Sequence, residues 1–348
     1  MRNPQTAHRG QYLPTIQWIV VWISTHINPL LRNSSGKTLL AIPPKSTENA
    51  RWNPRPIPSD LISSDALEYR GNTKATPSIR APKFLFEPIA MTNTLDLKVA
   101  IEEFQRFGFY IARQLFATDE MQALLKFARR DSQLAQEAYV RKDATGGESK
   151  LAVRNDLDDC SPYTAVVRSH RVARTMEKLL GDEVYHYHHK MMLKEPLVGG
   201  AWEWHQDYGY WYNNGCLYPD MASCLIAVDR ATQANGCLQI LSGSHHIGRI
   251  EHFATGDQKG ADCSRVAQAI QRHDLVYCEM EPGDALFFHG NLLHCSSKNL
   301  SHEPRWSLIC CYNTKHNDPY ITDGRHPNYS PLEVWNDDHV RQELLKHL

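Results

Sequence analysis

A short segment near the middle of the chain carries a histidine and an aspartate two positions apart, His205 and Asp207. In an extended backbone, side chains two positions apart project to the same side, so an imidazole nitrogen and a carboxylate oxygen can meet at one point. These are two ligands of the 2-His-1-carboxylate set that binds non-haem Fe(II) and leaves coordination positions open. The motif alone is weak evidence, because a second copy, His316-Asn317-Asp318, occurs downstream and is expected to be surface structure.

A second histidine that could complete this set follows a Gly-Asp turn and a hydrophobic strand. The turn at residues 283–284 precedes the expected strand over residues 285–288, and His294 comes after both. His289 follows the same turn and is the alternative ligand, but it belongs to the body of the strand. We therefore expect His294 to be the distal histidine.

Arg305 lies 11 residues after His294, at the start of another expected strand over residues 306–313. The polar loop over residues 295–304 could form a hairpin that returns Arg305 towards His294. A buried arginine needs an anionic partner, and its planar guanidinium suits a carboxylate held by two hydrogen bonds. The pattern therefore indicates an anion-binding position close to the metal.

Taken together, these motifs resemble the phytanoyl-CoA dioxygenase family of Fe(II)/2-oxoglutarate oxygenases. The residues that carry the resemblance are His205-x-Asp207, Asn235-Gly236-Cys237-Leu238, Ser242-Gly243-Ser244-His245, Gly283-Asp284, His294, Ser296 and Arg305. The aromatic run over residues 204–211 is similar to the ectoine hydroxylase branch of that superfamily. The resemblance covers residues 95–320 and does not include the first 90 residues.

The resemblance implies a fold and a set of site residues. The fold would be mainly β with flanking helices, around a double-stranded β-helix (jelly-roll, cupin-like) core. His205, Asp207 and His294 would bind Fe(2+). Arg305 and Ser296 would hold the distal carboxylate of the cosubstrate 2-oxoglutarate.

Further positions around the cosubstrate follow from the same resemblance. Met191 matches a position that lines the cosubstrate pocket, and the upstream basic contact could be either Lys150 or Arg154. Where phytanoyl-CoA hydroxylases carry a tryptophan before the Asn-Gly turn, this chain has Leu225. This departure leaves the cofactor assignment unchanged but argues against transferring the acyl-CoA substrate.

The reaction implied is that of a 2-oxoglutarate-dependent dioxygenase. It would hydroxylate an unactivated C–H bond of a small organic substrate with O2 and release succinate and CO2. Asp207 favours hydroxylation, because related halogenases replace this carboxylate with a small residue. The alternative is a non-catalytic jelly-roll protein that binds a metal or small ligand. A zinc hydrolase is a weaker option, because it would leave Arg305 unexplained.

Apolar periodicity and turn residues predict the elements that would position these side chains. Three helices are expected first, one ending at Gly108, one beginning at Thr118 and one ending at Gly181. The strands that follow suggest a β-sandwich or barrel. They are expected at residues 183–193, 223–229, 237–241, 275–280, 285–288 and 306–313, after an earlier one at 109–116. A final helix is expected to carry Leu332, Val334, Trp335, Val340 and Leu344.

Three histidines lie close together in the first long strand. Strict alternation would put His186 and His188 on one face of the strand and His189 on the other. A compact second metal site is therefore disfavoured, and the histidines are expected to be ordinary strand residues or part of a polar pocket wall.

Charge and cysteine content exclude several classes of partner. With 38 Lys and Arg against 39 Asp and Glu, the chain has no basic field for nucleic acid or an anionic membrane. Its nine cysteines include no CxxC pair, which fits free thiols in a reducing compartment. We expect a cytoplasmic protein that acts on a small molecule and has no nucleic acid or membrane partner. The sequence makes no prediction of its oligomeric state.

The first quarter of the chain differs from the rest. Residues 1–90 contain 11 of the 19 prolines, no cysteine, and 11 basic against 5 acidic side chains. Such a segment buries too little apolar surface to offset the entropy lost on ordering. We expect a disordered extension, a translated upstream region before a start at Met91, or a targeting presequence. A single oxygenase domain would then occupy residues 91–348.

Overall fold

A computed structural model describes residues 96–348, so the predicted extension over residues 1–90 lies outside the described part of the chain. The described part begins with helix α1 (Leu97–Phe107), where the Asp96 carboxylate accepts hydrogen bonds from two backbone N–H groups of the first turn. The helix ends at Gly108 in the left-handed conformation, as predicted. The other helices are α2 (Thr118–Ala128), α3 (Ser132–Glu137), α4 (Pro162–Arg168), α5 (His170–Leu180), α6 (Tyr208–Trp211), α7 (Cys263–Ile270) and α8 (Asp337–Leu345).

Most of the remaining structure is β-strand. The strands are β1 (Phe109–Ala112), β2 (Tyr139–Lys142), β3 (Glu148–Arg154), β4 (Val184–Lys194), β5 (Trp202–His205), β6 (Met221–Ala227), β7 (Leu238–Leu241), β8 (His252–Thr255), β9 (Gln258–Ala261), β10 (Leu275–Cys278), β11 (Ala285–His289), β12 (His294–Ser296) and β13 (Arg305–Thr314). All strands predicted after Gly181 are present within a few residues of their expected bounds.

The strands form two main antiparallel sheets. A large sheet has the order β1-β11-β6-β13-β4-β3-β2, a small sheet has the order β10-β7-β12-β5, and β8 and β9 form a separate pair. Between the two main sheets, Tyr187 and Leu225 of the large sheet share a hydrophobic core with Ile240 and Cys278 of the small sheet. This arrangement is the predicted jelly-roll core.

Helices cover the opposite face of the large sheet. There, Phe104 of α1 and Met176 of α5 belong to a second hydrophobic core that includes Leu308 of the central strand β13. Each such side chain contributes about 1.5–3 kcal/mol when it is fully buried. The large sheet therefore has one face towards the helices and one face towards the small sheet. The second face lines the cavity between the sheets.

The loop over residues 295–304 does not form the predicted hairpin. Strand β12 lies in the small sheet, whereas β13 lies in the middle of the large sheet, so this loop crosses from one sheet to the other. Arg305 and His294 consequently sit on facing sheets instead of on paired strands.

The C-terminal helix is shorter than expected. It begins at Asp337, because the side chain of Asn336 accepts a hydrogen bond from the N–H of His339 and caps the first turn. Trp335 precedes the helix and is buried, and its backbone N–H donates to the carbonyl of Arg168. The residues predicted as the first helical turn thus form an extended segment.

A β-bulge in the pairing of β4 with β13 overturns the predicted histidine faces. His188 pairs with Cys311 and His186 pairs with Tyr312, so one residue of β4 has no partner between them. The rings of His186 and His189 lie on the same side, with their nitrogens 3.1 Å apart. His188 points the other way and lines a cavity between the sheets.

Two further sequence predictions concern thiols and membrane spans. All nine cysteines are free, and seven of them are buried. Within residues 96–348, each helix is too short or too polar to cross a bilayer.

Candidate active site

His205, Asp207 and His294 meet on the inner side of the small sheet. His205 ends β5 and is directly paired with His294, the first residue of β12. Asp207 has helical backbone at the start of α6, so the chain turns where an extended segment was predicted. Its Oδ1 lies 3.8 Å from Nε2 of His205 and 3.9 Å from Nε2 of His294. The three side chains are buried, and their candidate ligand atoms all lie within 4.8 Å of one another.

Hydrogen bonds leave one coordinating atom free on each of these residues. Nδ1 of His205 donates to the carbonyl of Glu203 at 2.7 Å, and Nδ1 of His294 donates to the carbonyl of Leu292 at 2.8 Å. Each Nε2 therefore keeps its lone pair for a metal. On Asp207, Oδ2 accepts a 2.7 Å hydrogen bond from the hydroxyl of Ser223, which leaves Oδ1 facing the histidines.

The protonation states also suit metal binding. Burial lowers the pKa of His205 and of His294, so both imidazoles stay neutral near pH 7. Burial acts to raise the pKa of Asp207, but the positive charge of Lys190, the neighbouring histidine rings and the hydrogen bond from Ser223 outweigh it, and the net shift is downward. Two neutral imidazoles and one carboxylate, with open positions towards a cavity, fit Fe(II).

Two buried basic side chains, Arg305 and Lys194, lie beside this cluster. Arg305 of β13 pairs with Lys194 of β4 in the large sheet. Nζ of Lys194 reaches across to the small sheet and donates to Oγ of Ser296 at 3.0 Å. Nε of Arg305 is buried and has no hydrogen-bond partner among the described residues. Burial lowers the pKa of Arg305 to about 10, and burial together with Arg305 lowers that of Lys194 well below its usual value.

Arg305 and Lys194 could together bind an anion. The hydrogen-bond acceptors of Lys194 are the hydroxyl of Ser296 and the carbonyl of Ser297, which are both uncharged. A buried guanidinium without a carboxylate partner among the described residues, beside a lysine whose pKa is lowered, is costly unless an anion binds. Ser296 lies two residues after His294 on the same strand, so the anion would bind next to the three candidate metal ligands His205, Asp207 and His294, which we call the metal cluster.

The structure places Met191, and both candidates for the one predicted upstream basic contact, away from the cluster. Met191 lies in the helix-side core, on the opposite face of β4 from Lys190. Arg154 is occupied on the helix side, where its Nε donates to Glu137 at 2.7 Å. Lys150 is exposed on the same face of β3 as Arg154, whereas Leu151 and Val153 between them line the cavity. The bulge explains why Met191 lies outside the pocket, because it changes which residues of β4 point into the space between the sheets.

Lys190 and Lys194 are the basic residues that sequence reasoning missed. Both point to the inner face of β4, downstream of the bulge. Their spacing of four along one strand was visible in the sequence, and it shows that they share a face. Which face they share depends on the bulge, for which the sequence has no evident signal.

The other histidine candidates have separate places. Nδ1 of His289 accepts a hydrogen bond from the N–H of Asn291, and burial lowers the pKa of His289 to about 3. It is not among the three clustered ligands. His316 lies at the surface, where Asp182 and Asp220 hydrogen-bond both ring nitrogens and raise its pKa.

Two turns that contribute no ligand hold the site in place. Gly236 has φ +76°, and a Cβ there would lie 2.3 Å from the carbonyl of Ser297, so only glycine allows this close approach. Ser244 accepts a 2.9 Å hydrogen bond from the N–H of Leu293, the residue before His294. These contacts position the strand that carries His294 and Ser296.

A cavity of about 480 Å³ opens over the metal cluster. Aromatic walls come from Trp202, Tyr210 and Trp211, and Lys190 lies among them. The charged residues at its rim are Arg141, Asp257, Lys259 and Arg325. A larger cavity, of about 560 Å³, contains none of the clustered ligands and touches the first at Asn155 and His326. The larger cavity lies away from the three clustered ligands. The smaller cavity is therefore the candidate substrate site.

Comparisons with known proteins agree with this architecture. A family profile described as phytanoyl-CoA dioxygenase (PhyH) matches residues 104–307. L-proline trans-4-hydroxylase of Streptomyces griseoviridis is 30% identical over 210 residues, which cover 55% of this chain and 76% of that protein. Ectoine dioxygenase of Sphingopyxis alaskensis is 27% identical over 230 residues, or 62% and 74% of the two chains.

Solved structures show the same fold. EctD from S. alaskensis with 2-oxoglutarate and 5-hydroxyectoine has a TM-score of 0.56 at 23% identity, covering 71% of this chain and 90% of that one. The iron-bound form of the same protein gives a TM-score of 0.57 at 24% identity. At this level of identity the likeness extends to the fold alone.

Proposed function

The chain belongs to the phytanoyl-CoA dioxygenase family and is a 2-oxoglutarate-dependent dioxygenase that uses Fe(II), 2-oxoglutarate and O2, and we propose that it hydroxylates an unactivated C–H bond of a small organic molecule. The observation that carries the proposal is the pairing of two sites. A buried cluster of two neutral histidines and a carboxylate lies beside a buried arginine and lysine that form no ion pair with an acidic side chain among residues 96–348.

We assign the residues to roles as follows. His205, Asp207 and His294 hold Fe(II), and Ser223 fixes the orientation of the aspartate. The cavity is lined by His205 and Asp207, so cosubstrate and substrate would approach a bound metal from that side.

Arg305, Ser296 and Lys194 bind the distal carboxylate of 2-oxoglutarate. Arg305 offers two parallel N–H donors, while Lys194 holds Ser296 in place from the facing sheet. The bound carboxylate supplies the negative charge that the described residues do not offer to Arg305 and Lys194.

When bound, iron and 2-oxoglutarate supply the oxidising chemistry, in which the cosubstrate becomes succinate and CO2 and one oxygen atom enters the substrate. The chain contributes geometry and the exclusion of water. Aromatic walls from Trp202, Tyr210 and Trp211 enclose the space above the metal cluster. Asp207 provides a carboxylate where related halogenases have a small residue, which favours hydroxylation.

Turnover of 2-oxoglutarate tests this proposal without knowledge of the substrate. Iron-loaded protein should form succinate with parallel O2 uptake, and His205→Ala, Asp207→Ala and Arg305→Ala should each reduce the rate at least a hundredfold. A protein that binds the metal yet never consumes 2-oxoglutarate would instead be a non-catalytic binding protein, and the proposal would fail.

Two broader predictions from the sequence stand beside this function. We propose that residues 91–348 form the whole oxygenase domain, so that this fragment expressed alone should be soluble and turn over 2-oxoglutarate as the full chain does. We also propose that the protein is cytoplasmic and that its partner is a small molecule, with neither nucleic acid nor membrane as a partner. If the fragment is insoluble or inactive while the full chain is active, the first 90 residues belong to the fold.

A further inference from the structure

Lys190 carries a partly buried ammonium group that lines the cavity over His205 and Asp207. It lies on the inner face of β4, and its side chain is 17% exposed. Its Nζ is 3.9 Å from Oδ1 of Asp207, which is longer than a hydrogen bond. Among residues 96–348, this long ion pair is its one charged contact, and Nζ makes no hydrogen bond.

We propose that the substrate carries a carboxylate and that Lys190 binds this group beside the metal. The inference rests on the proposed function, because it concerns the cavity over the Fe(II) cluster. It deepens that function by naming the chemical class of the molecule that is hydroxylated.

Charge balance in the loaded site supports this assignment. Fe(II), Arg305 and the Lys194 that binds 2-oxoglutarate would together carry four positive charges, against the single charge of Asp207 and the two charges of 2-oxoglutarate. The oxygen of Asp207 that faces Lys190 is the same oxygen that faces the histidines, so the metal competes for it. Lys190 is then left without a counter-charge in a partly dry cavity, a state that one further anion corrects.

The rim of the cavity has the same sign. Arg141, Lys259 and Arg325 lie around the opening against one acidic residue, Asp257. The backbone carbonyl of Asp257 accepts from Arg141 at 3.3 Å, and Arg325 is partly balanced by its own neighbour Asp323. Excess positive charge at a cleft mouth raises the local concentration of anions and speeds their entry.

The walls and the volume limit the rest of the substrate. Trp202, Tyr210 and Trp211 give flat apolar surfaces close to Lys190, and the space is about 480 Å³. Such a cavity suits a compact molecule with a ring or short apolar body and one charged end. We therefore place the carboxylate at Lys190 and the apolar body against the aromatic wall, with its C–H bonds towards the metal.

A binding experiment with matched acids and amides tests this directly. Full-length protein is loaded with Mn²⁺ in place of Fe(II) and saturated with 2-oxoglutarate, so that no turnover occurs, and thermal unfolding is followed with each probe. The probe pairs are L-proline and L-prolinamide, 3-phenylpropanoate and 3-phenylpropanamide, and cyclohexanecarboxylate and its amide. At least one acid should raise the unfolding temperature, and its amide should not.

Variants locate the effect. Lys190→Met should weaken the binding of that acid by about thirtyfold or more, the lower end of the cost of truncating a buried charge pair. Lys259→Met, which removes a lysine at the rim, should weaken it by no more than about fivefold. Lys190→Gln keeps a polar group of similar length and should bind as weakly as Lys190→Met.

The inference is overturned if no acid in the panel binds, if the amides bind as well as the acids, or if Lys190→Met binds the acid as wild type does. Failure of the proposed function looks different. In that case 2-oxoglutarate itself would not stabilise the Mn²⁺-loaded wild-type protein, whatever the acids do.

Discussion

The hydroxyl of Ser223 donates a 2.7 Å hydrogen bond to Oδ2 of Asp207. Ser223 belongs to β6 in the large sheet, whereas Asp207 follows β5 of the small sheet, so this bond joins the two halves of the sandwich at the metal cluster. It leaves Oδ1 as the oxygen that faces both histidines. Ser223 thus decides which carboxylate oxygen is presented to the metal.

Ser223→Ala should weaken metal binding by about tenfold to a hundredfold, the usual cost of removing the group that orients a ligand. Titration of metal-free protein with Mn²⁺ by calorimetry measures this. Ser307→Ala is the matched control, because Ser307 is a buried serine of neighbouring β13 whose hydroxyl has no partner among the described residues. Equal affinity in Ser223→Ala and wild type would refute the orienting role.

Arg305→Met should reduce the affinity for 2-oxoglutarate by about 2–5 kcal/mol, because it removes one partner of a buried charge pair. Binding to Mn²⁺-loaded protein shows the loss, while metal affinity should stay unchanged. Arg129 stacks on Trp306 from the helix side, 4.4 Å from the ring, so Arg129→Met removes a nearby arginine without touching the pocket. A similar loss in both variants would argue against a specific contact.

Lys194 should take up a proton when 2-oxoglutarate binds. Burial and Arg305 lower the pKa of Lys194 in the free protein, and a bound carboxylate reverses part of that shift. Calorimetry in buffers of different ionisation enthalpy should therefore show net uptake of up to about one proton per 2-oxoglutarate. Lys194→Met should abolish this uptake, and Lys178→Met, at an exposed position of α5, should keep it. Uptake that persists in Lys194→Met would assign it to another group.

His189 should make the stability of the metal-free protein depend on pH. Burial lowers the pKa of His189 to about 4, whereas in the unfolded chain it is about 6.5. Between these values the unfolded state binds more protons, so the free energy of unfolding falls as the pH falls from about 6.5 to 4.

Urea unfolding of His189→Gln measures this contribution. The slope of stability against pH should be smaller than in wild type by up to about 1.4 kcal/mol per pH unit, the value of one proton. His302→Gln, at an exposed position, should leave the slope as it is. An unchanged slope in His189→Gln would show that this imidazole titrates normally in the fold.

Much of the site could be predicted because the relevant residues lie close to turns. His205, Asp207, His294 and Arg305 are each next to the end of a strand, where glycine, proline and polar residues mark the boundaries. The first helix and its glycine cap were predicted for the same reason. Local chemistry determines these features, so a single sequence contains the signal for them.

The errors arise where distant parts of the chain decide the outcome. A one-residue bulge against β13 reverses the faces of β4 between His186 and His188, and that pairing has no local signature. The same bulge moves Met191 out of the pocket and brings Lys190 and Lys194 into it. The hairpin predicted before Arg305 failed similarly, because sheet membership is a tertiary property.

Labelled oxygen gives the most direct test of the central claim, that this chain activates O2 with iron and 2-oxoglutarate at the His205, Asp207 and His294 cluster. Iron-loaded protein is incubated with 2-oxoglutarate under heavy-oxygen O2, and the succinate is analysed by mass spectrometry. We predict that succinate carries one labelled oxygen atom in wild type, and that His294→Ala forms almost none. Unlabelled succinate, or labelled succinate formed equally by His294→Ala, would contradict the account.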